Sequence, residues 1–153
     1  MNTTFYHSPI GTLKICDNGS AVTYINLTDE NPGAADDEPS KLGKAAVKQL
    51  REYFAGQRKA FDLPLETSGT DFQQKVWQAL RSIPYGETRS YKETAEAVGS
   101  PKACRAVGMA NNKNDILIVI PCHRVIGADG SLVGFGSGLD AKEYLLNLEK
   151  NFK

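Results

Sequence analysis

Apolar and polar positions change their period along the chain. Near the start they alternate. Phe5, Leu13 and Ile15, then Val22 and Tyr24, are separated by turn residues at Ser8-Pro9-Ile10-Gly11 and Asp17-Asn18-Gly19. Alternation broken by such clusters predicts antiparallel strands. Residues 31–40 are acidic and hold Pro32, Gly33 and Pro39, the composition of a loop. Leu42, Ala45, Ala46, Gln49, Leu50, Tyr53 and Phe54 then recur at helical spacing, up to a stop at Gly56. Phe61-Asp62-Leu63-Pro64-Leu65 reads as a short strand or crossing segment.

Beyond residue 69 the helical period dominates. Ser68 or Thr70 is placed to cap a helix with Phe72, Val76, Trp77 and Leu80 on one face, ended by Ile83-Pro84-Tyr85-Gly86. Ser90 and Glu93 have capping-box spacing for a second helix that stops at Gly99. Pro101 suits the first turn of a third, over residues 102–110. Two short helices about Gly99-Ser100-Pro101 have the spacing of a helix-turn-helix, a weak signal by itself. The continuous apolar run 116–120 predicts a strand buried on both faces, and residues 140–148 a terminal helix with Glu149 at its end. The expected fold class is α+β. A small N-terminal lobe with an antiparallel sheet and a helix packs on a mainly helical C-terminal lobe, as domains 1–68 and 69–153.

Composition narrows the function classes. The chain has 153 residues, with 18 basic and 18 acidic side chains. Zero net charge argues against a non-specific polyanion binder and leaves room for a local phosphate-binding face. The longest apolar run, residues 116–120, is far too short to span a membrane. No basic-then-apolar leader opens the sequence, and Cys16, Cys104 and Cys122 are too scattered for a disulfide framework. A reduced, cytoplasmic setting is expected. With two histidines, His7 and His123, and no Cys-x-x-Cys pair, no metal site is expected either.

The chemistry concentrates in Pro121-Cys122-His123-Arg124-Val125-Ile126. Thiolate is the nucleophile, and an adjacent base can generate it. An isolated Cys-His pair is more often an ordinary buried cysteine with an accidental neighbour. Here the pair ends a rigid apolar run. Upstream, residues 102–110 are mostly small around Arg105, which suits either close approach to a nucleic-acid backbone or packing on a neighbouring helix. Downstream, residues 127–138 are rich in glycine around Phe135, one wall of a base-sized pocket or a hairpin. That stretch lacks the lysine and spacing of a phosphate loop, which excludes nucleoside triphosphate binding.

Ile120-Pro121-Cys122-His123-Arg124-Val125 resembles the active-site signature of the O6-alkylguanine-DNA alkyltransferases. The resemblance extends over nearly the whole chain, through Ser8-Pro9-Ile10-Gly11, Tyr53-Phe54-Ala55-Gly56, Phe61-Asp62-Leu63-Pro64, Phe72-Gln73-Gln74-Lys75-Val76-Trp77, Ile83-Pro84-Tyr85-Gly86-Glu87-Thr88 and Arg105-Ala106-Val107-Gly108. It implies a ribonuclease H-like N-terminal lobe and repair of O6-alkylguanine, with O4-alkylthymine as a second lesion. The alkyl group passes irreversibly to Cys122 after the damaged base is flipped. It implies His123 as general base through a water, Glu149 as its support, Asn114 as support of the cysteine turn, and Tyr91 as the group that rotates the phosphate and protonates the departing guanine. Arg105 fills the gap left by the base. Tyr91, Lys92, Ser100, Lys102 and Ala103 approach the DNA backbone. Val125, Phe135, Gly136 and Ser137 line the pocket. No cofactor is implied. The partner is double-stranded DNA carrying the lesion, met by a monomer that can bind cooperatively, with no membrane. The chain departs from the family pattern at Asp115, where proline is common, at Ser137, which interrupts a glycine pair, at Phe135, which lacks a tyrosine's hydroxyl, and at Cys16 with Asn18, which do not form the zinc cluster of some relatives. The competing readings are a non-enzymatic lesion-binding protein, a redox-sensing helix-turn-helix DNA binder and a cysteine hydrolase.

Overall fold

The computed structural model describes residues 1–30, 39–131 and 138–153, and the chain divides into two compact units, Met1–Thr67 and Ser68–Lys153. The first unit is an antiparallel sheet in the order β1 (Asn2–Ser8), β2 (Gly11–Asp17), β3 (Val22–Leu27), covered by helix α1 (Lys41–Phe54). The Ser8 to Gly11 turn sets the register of the first hairpin, with Ser8 opposite Gly11 and Asn2 opposite Asp17. Leu13, Ile15, Val22 and Ile25 from the sheet and Ala46, Leu50 and Tyr53 from α1 are fully buried together. Ser40 caps α1 by accepting from the Gly43 amide at 2.9 Å and donates its hydroxyl to Asp17. Burial would raise the Asp17 carboxyl, but its bonds from Ser40, Asn2 and the Gly19 amide hold it below the usual range. Gly43 has a packing reason: a Cβ there would sit 2.1 Å from the Thr4 hydroxyl, so the helix could not lie this close to β1. Residues 61–65 contribute only a single parallel bridge, Leu65 to Val22.

The second unit packs α2 (Asp71–Arg81), α3 (Tyr91–Ala97) and α4 (Cys104–Asn112) against one another, followed by α5 (Leu139–Asn151). The expected capping box forms at Ser90 with Glu93, and of the two cap candidates for α2 it is Thr70 that caps, in a second capping box with Gln73. Trp77 is buried with Val76 and Leu80, and its indole donates to the Ala110 carbonyl at 2.9 Å, which ties α2 to the last turn of α4. Among the described residues no helix is long and apolar enough to cross a membrane.

Two elements differ from expectation. The third helix begins at Cys104, not residue 102, because the Ala103 amide is used at 2.9 Å by the Ser100 carbonyl and the turn consumes Pro101 and Lys102. The apolar run 116–120 is no strand. Ile118 has φ +72°, and the Val119 amide donates to Leu117 at 2.8 Å, an i to i+2 bond that folds the chain back on itself. A β-branched residue in the left-handed region is strained, and the burial of Ile116, Leu117, Ile118 and Ile120 holds it there.

Candidate active site

A second sharp turn follows at once. Pro121 has φ −81° and ψ 65°, and the Cys122 amide donates to the Ile120 carbonyl at 2.8 Å, the geometry of an inverse γ-turn. Cys122, His123 and Arg124 then form one turn of 3-10 helix, which gives way to β5 (Val125–Ile126). β5 pairs in parallel with β4 (Arg89–Ser90), Arg89 opposite Val125. Since α3 begins at Tyr91, this pairing carries Tyr91 to the cysteine turn. No sequence pattern announced it.

Two amides hold the turn. Asn114 donates to the Ile120 carbonyl at 2.8 Å and accepts from the Ile116 amide at 2.9 Å. Asn111 donates to the Cys122 carbonyl at 3.2 Å. The thiol is 3% exposed. Burial pushes its pKa up to about 11, opposed by the Asn114 side chain, the charge of Lys142 and backbone amides of the turn. At rest Cys122 is therefore a protonated thiol.

The adjacent ring faces a carboxylate. His123 Nε2 lies 2.6 Å from Glu149 Oε2, and both residues are almost wholly buried. Arg124 clamps the same carboxylate through Nε at 2.8 Å and Nη2 at 3.0 Å, and its Nη1 donates to the Ile83 carbonyl at 2.7 Å. Burial alone would raise Glu149, but the bonds and charges of His123 and Arg124 override it and hold the carboxyl far below its usual range. Burial keeps His123 below its ordinary value despite Glu149. A neutral ring against an anion places its proton on Nε2 and leaves Nδ1 a bare acceptor, buried with no hydrogen-bond partner among the described residues.

Lys142, on α5, donates to the Val125 carbonyl at 2.6 Å, and its ammonium lies 6.0 Å from the centre of the Tyr91 ring. Burial and then nearby Cys122 raise the Tyr91 hydroxyl. Of the residues named from the sequence, Cys122, His123, Asn114, Glu149, Val125 and Tyr91 thus meet in one buried region. Arg105, Lys92 and Lys102 are exposed, and Ser100 and Ala103 are half-buried about the turn between α3 and α4. α4 shows solvent Arg105, Ala106 and Met109. Phe135, Gly136 and Ser137 lie outside the described residues. Arg124, Lys142 and Asn111 were given no role in the sequence reading. Lys142 shares a helical face with Leu145 and Glu149, a spacing that could have marked it as buried.

Comparison with known proteins covers both units. Residues 1–67 match the family profile of the 6-O-methylguanine DNA methyltransferase ribonuclease-like domain, and residues 71–151 that of its DNA binding domain. A methylated-DNA--protein-cysteine methyltransferase of Mycobacterium leprae is 51% identical, over 94% of this chain and 89% of its own. The constitutive enzyme of that name from Bacillus subtilis is 49% identical, over 96% of this chain and 94% of its own. The crystal structure of Mycobacterium tuberculosis OGT in complex with DNA superposes with a TM-score of 0.89 at 46% identity, covering 99% of this chain and 94% of that one. With each of its two units matched and about half of its residues shared with such relatives, the chain belongs to the 6-O-methylguanine DNA methyltransferase family.

Proposed function

We propose that this protein repairs O6-alkylguanine in double-stranded DNA by moving the alkyl group onto Cys122, once per molecule. The observation that carries this reading is the buried Cys122 thiol beside a histidine whose Nε2 is committed to Glu149 and whose Nδ1 is a bare acceptor. The thiol proton passes to His123 Nδ1 through a water, and the resulting imidazolium is compensated by Glu149. The sulfur forms a bond to the alkyl carbon as the bond from that carbon to O6 breaks. Tyr91 supplies a proton to the departing guanine, and the proton left on His123 balances it. A thioether is not reopened by thiol exchange, so the chain is consumed. O4-alkylthymine presents the same alkyl-oxygen linkage and falls within the same chemistry.

A base inside a duplex hides its O6 substituent from a thiol anchored in a packed turn, so the nucleotide has to be flipped. Exposed Arg105, on a helix whose solvent face otherwise carries small side chains and Met109, suits insertion into the stack from the minor groove. Ser100, Lys102 and Ala103 lie in the α3–α4 turn, Tyr91 and Lys92 open α3, and all five meet phosphates. Val125 lines the base pocket with Phe135, Gly136 and Ser137. We place the domain boundary at residues 68 and 69, one residue beyond the division into Met1–Thr67 and Ser68–Lys153. The scheme draws on protein side chains alone, and its dependence on a free thiol places the protein in a reducing compartment such as the cytoplasm. The test is intact and peptide mass after mixing with duplex DNA bearing one O6-methylguanine. One methylene unit gained on the Cys122 peptide, saturating at one per protein, is the expected result. DNA bound with no mass gained would instead establish a lesion-binding protein.

A further inference from the structure

Two buried acceptors lie about the Cys122–His123 peptide unit, and neither has a donor among the described residues. One is His123 Nδ1. The other is Asn111 Oδ1, on a side chain that is 1% exposed. Its assignment as oxygen is fixed by its neighbour. The other end of the amide meets the Cys122 carbonyl at 3.2 Å, where a nitrogen donates and an oxygen would repel. Two acceptors cannot satisfy each other, and buried polar atoms are rarely left unpaired. The protein donors nearby are committed: Asn114 to the Ile120 carbonyl and His123 Nε2 to Glu149.

We propose that Asn111 is a positioning residue for deprotonation of Cys122: with His123 Nδ1 it orients the water that receives the thiol proton. A water that donates one hydrogen to Asn111 Oδ1 and the other to His123 Nδ1 turns its lone pairs toward the remaining polar group, the Cys122 thiol. The S–H proton moves to the water oxygen as a water proton moves to Nδ1. The thiolate and the imidazolium form together, and the water is regenerated. Without the Asn111 oxygen, the water has one anchor and is free to turn away. The same amide holds the Cys122 carbonyl, so α4 fixes both the nucleophile and its proton path. The charged and titratable groups about this path, among the described residues, are His123 and Arg124 of the turn, Tyr85 after α2, Tyr91 of α3, and Lys142 and Glu149 of α5.

The inference rests on alkyl transfer to Cys122, and the experiment separates the two. Single-turnover transfer from a free O6-alkylguanine base is followed from pH 6 to 10.5 for wild type and Asn111→Leu. Positioned proton transfer is worth on the order of a hundredfold or more, so losing one of two anchors should slow transfer at least tenfold near pH 7. The deficit should shrink toward pH 11, where the thiol ionises without the relay. Equal rates at pH 7, or a deficit of one size at all pH values, would overturn the assignment, the second by showing that Asn111 only shapes the turn. If Asn111→Leu does not fold, the wild type in mixed H2O and D2O decides. A rate that bows with deuterium fraction reports two protons in flight, and a straight line refutes the relay. A wild type that never alkylates Cys122 defeats the proposed function itself.

Discussion

Replacing Glu149 by glutamine removes one charge from a site where three groups depend on it. The carboxylate meets His123 at 2.6 Å, Arg124 at 2.8 and 3.0 Å, and the Gly86 amide at 3.3 Å, at 1% exposure. Glutamine keeps the shape but leaves the Arg124 guanidinium buried without a counter-charge. Breaking a buried pair from one side costs about 3–5 kcal/mol, a large share of the roughly 5–15 kcal/mol that holds a domain. The pH dependence has a definite sign. The folded pKa values of Glu149 and His123 both lie below their ordinary values of 4.5 and 6.5. Each group therefore stabilises the fold fully above its ordinary value and loses that contribution as pH falls toward the folded one. Glu149→Gln lacks the Glu149 contribution, and its His123, without the anion that raised it, is pushed further down. The gap between wild type and variant should thus be wide at pH 7 and narrow below about pH 4.5, by up to about 1.4 kcal/mol per pH unit. Urea unfolding of both proteins at pH 7, 5, 4 and 3 measures it. A gap under about 1 kcal/mol at pH 7 would mean that the carboxylate is not the hub of this site. A gap that stays constant down to pH 3 would mean that Glu149 is not the anion described here.

Other outcomes follow from the same geometry. Cys122→Ser should abolish alkyl transfer while duplex binding persists in a gel-shift titration; any alkylated product would remove Cys122 from its role. Arg105→Ala should slow repair in duplex DNA more than reaction with a free O6-alkylguanine base, and equal slowing would exclude insertion of Arg105. Alkylation should destabilise the protein itself, because a methyl added to a sulfur 3% exposed overpacks the turn by about 1–3 kcal/mol. A melting scan of the repaired protein should show a fall of about 2–4 °C for each kcal/mol, and an unchanged midpoint would mean the turn has room to spare.

What was legible in the sequence was local. Ser90 with Glu93 is a pair of side chains bonding to backbone three residues away, so spacing alone predicts that capping box, while it narrows the α2 cap only to Ser68 or Thr70. The apolar run 116–120 misled because burial and strand look alike in a short hydrophobic stretch. Its residues are buried as a strand's would be, but the turn at Ile118 directs their hydrogen bonds back into the segment. Pro101 fits a first helical turn by rule, and only the bond from Ala103 to the Ser100 carbonyl reveals that the connecting turn takes precedence. Arg124 and Lys142 were passed over because arginine and lysine are seldom fully buried. Their partners, Glu149 and the carbonyls of Ile83 and Val125, are distant in sequence, and no local pattern records them.

The elevated thiol pKa resolves a difficulty of single use. A protein that acts once is lost if its nucleophile meets the wrong electrophile. With a pKa of about 11, Cys122 is a thiolate in only about one molecule in ten thousand at pH 7, and making the thiolate costs about 5 kcal/mol. An exposed cysteine of ordinary pKa is a few per cent thiolate and reacts indiscriminately. On the proposed mechanism the site withholds its nucleophile by burial and releases it by proton transfer through the bound water over a short fixed path. Preorganisation makes this workable: Asn111 and Asn114 hold the carbonyls on either side of Pro121, and Glu149 and Arg124 hold the ring. Asn111 belongs to the last turn of α4 and Asn114 follows just beyond it, and the exposed face of that helix carries Arg105. The helix proposed to open the duplex is thus the one that aims the sulfur.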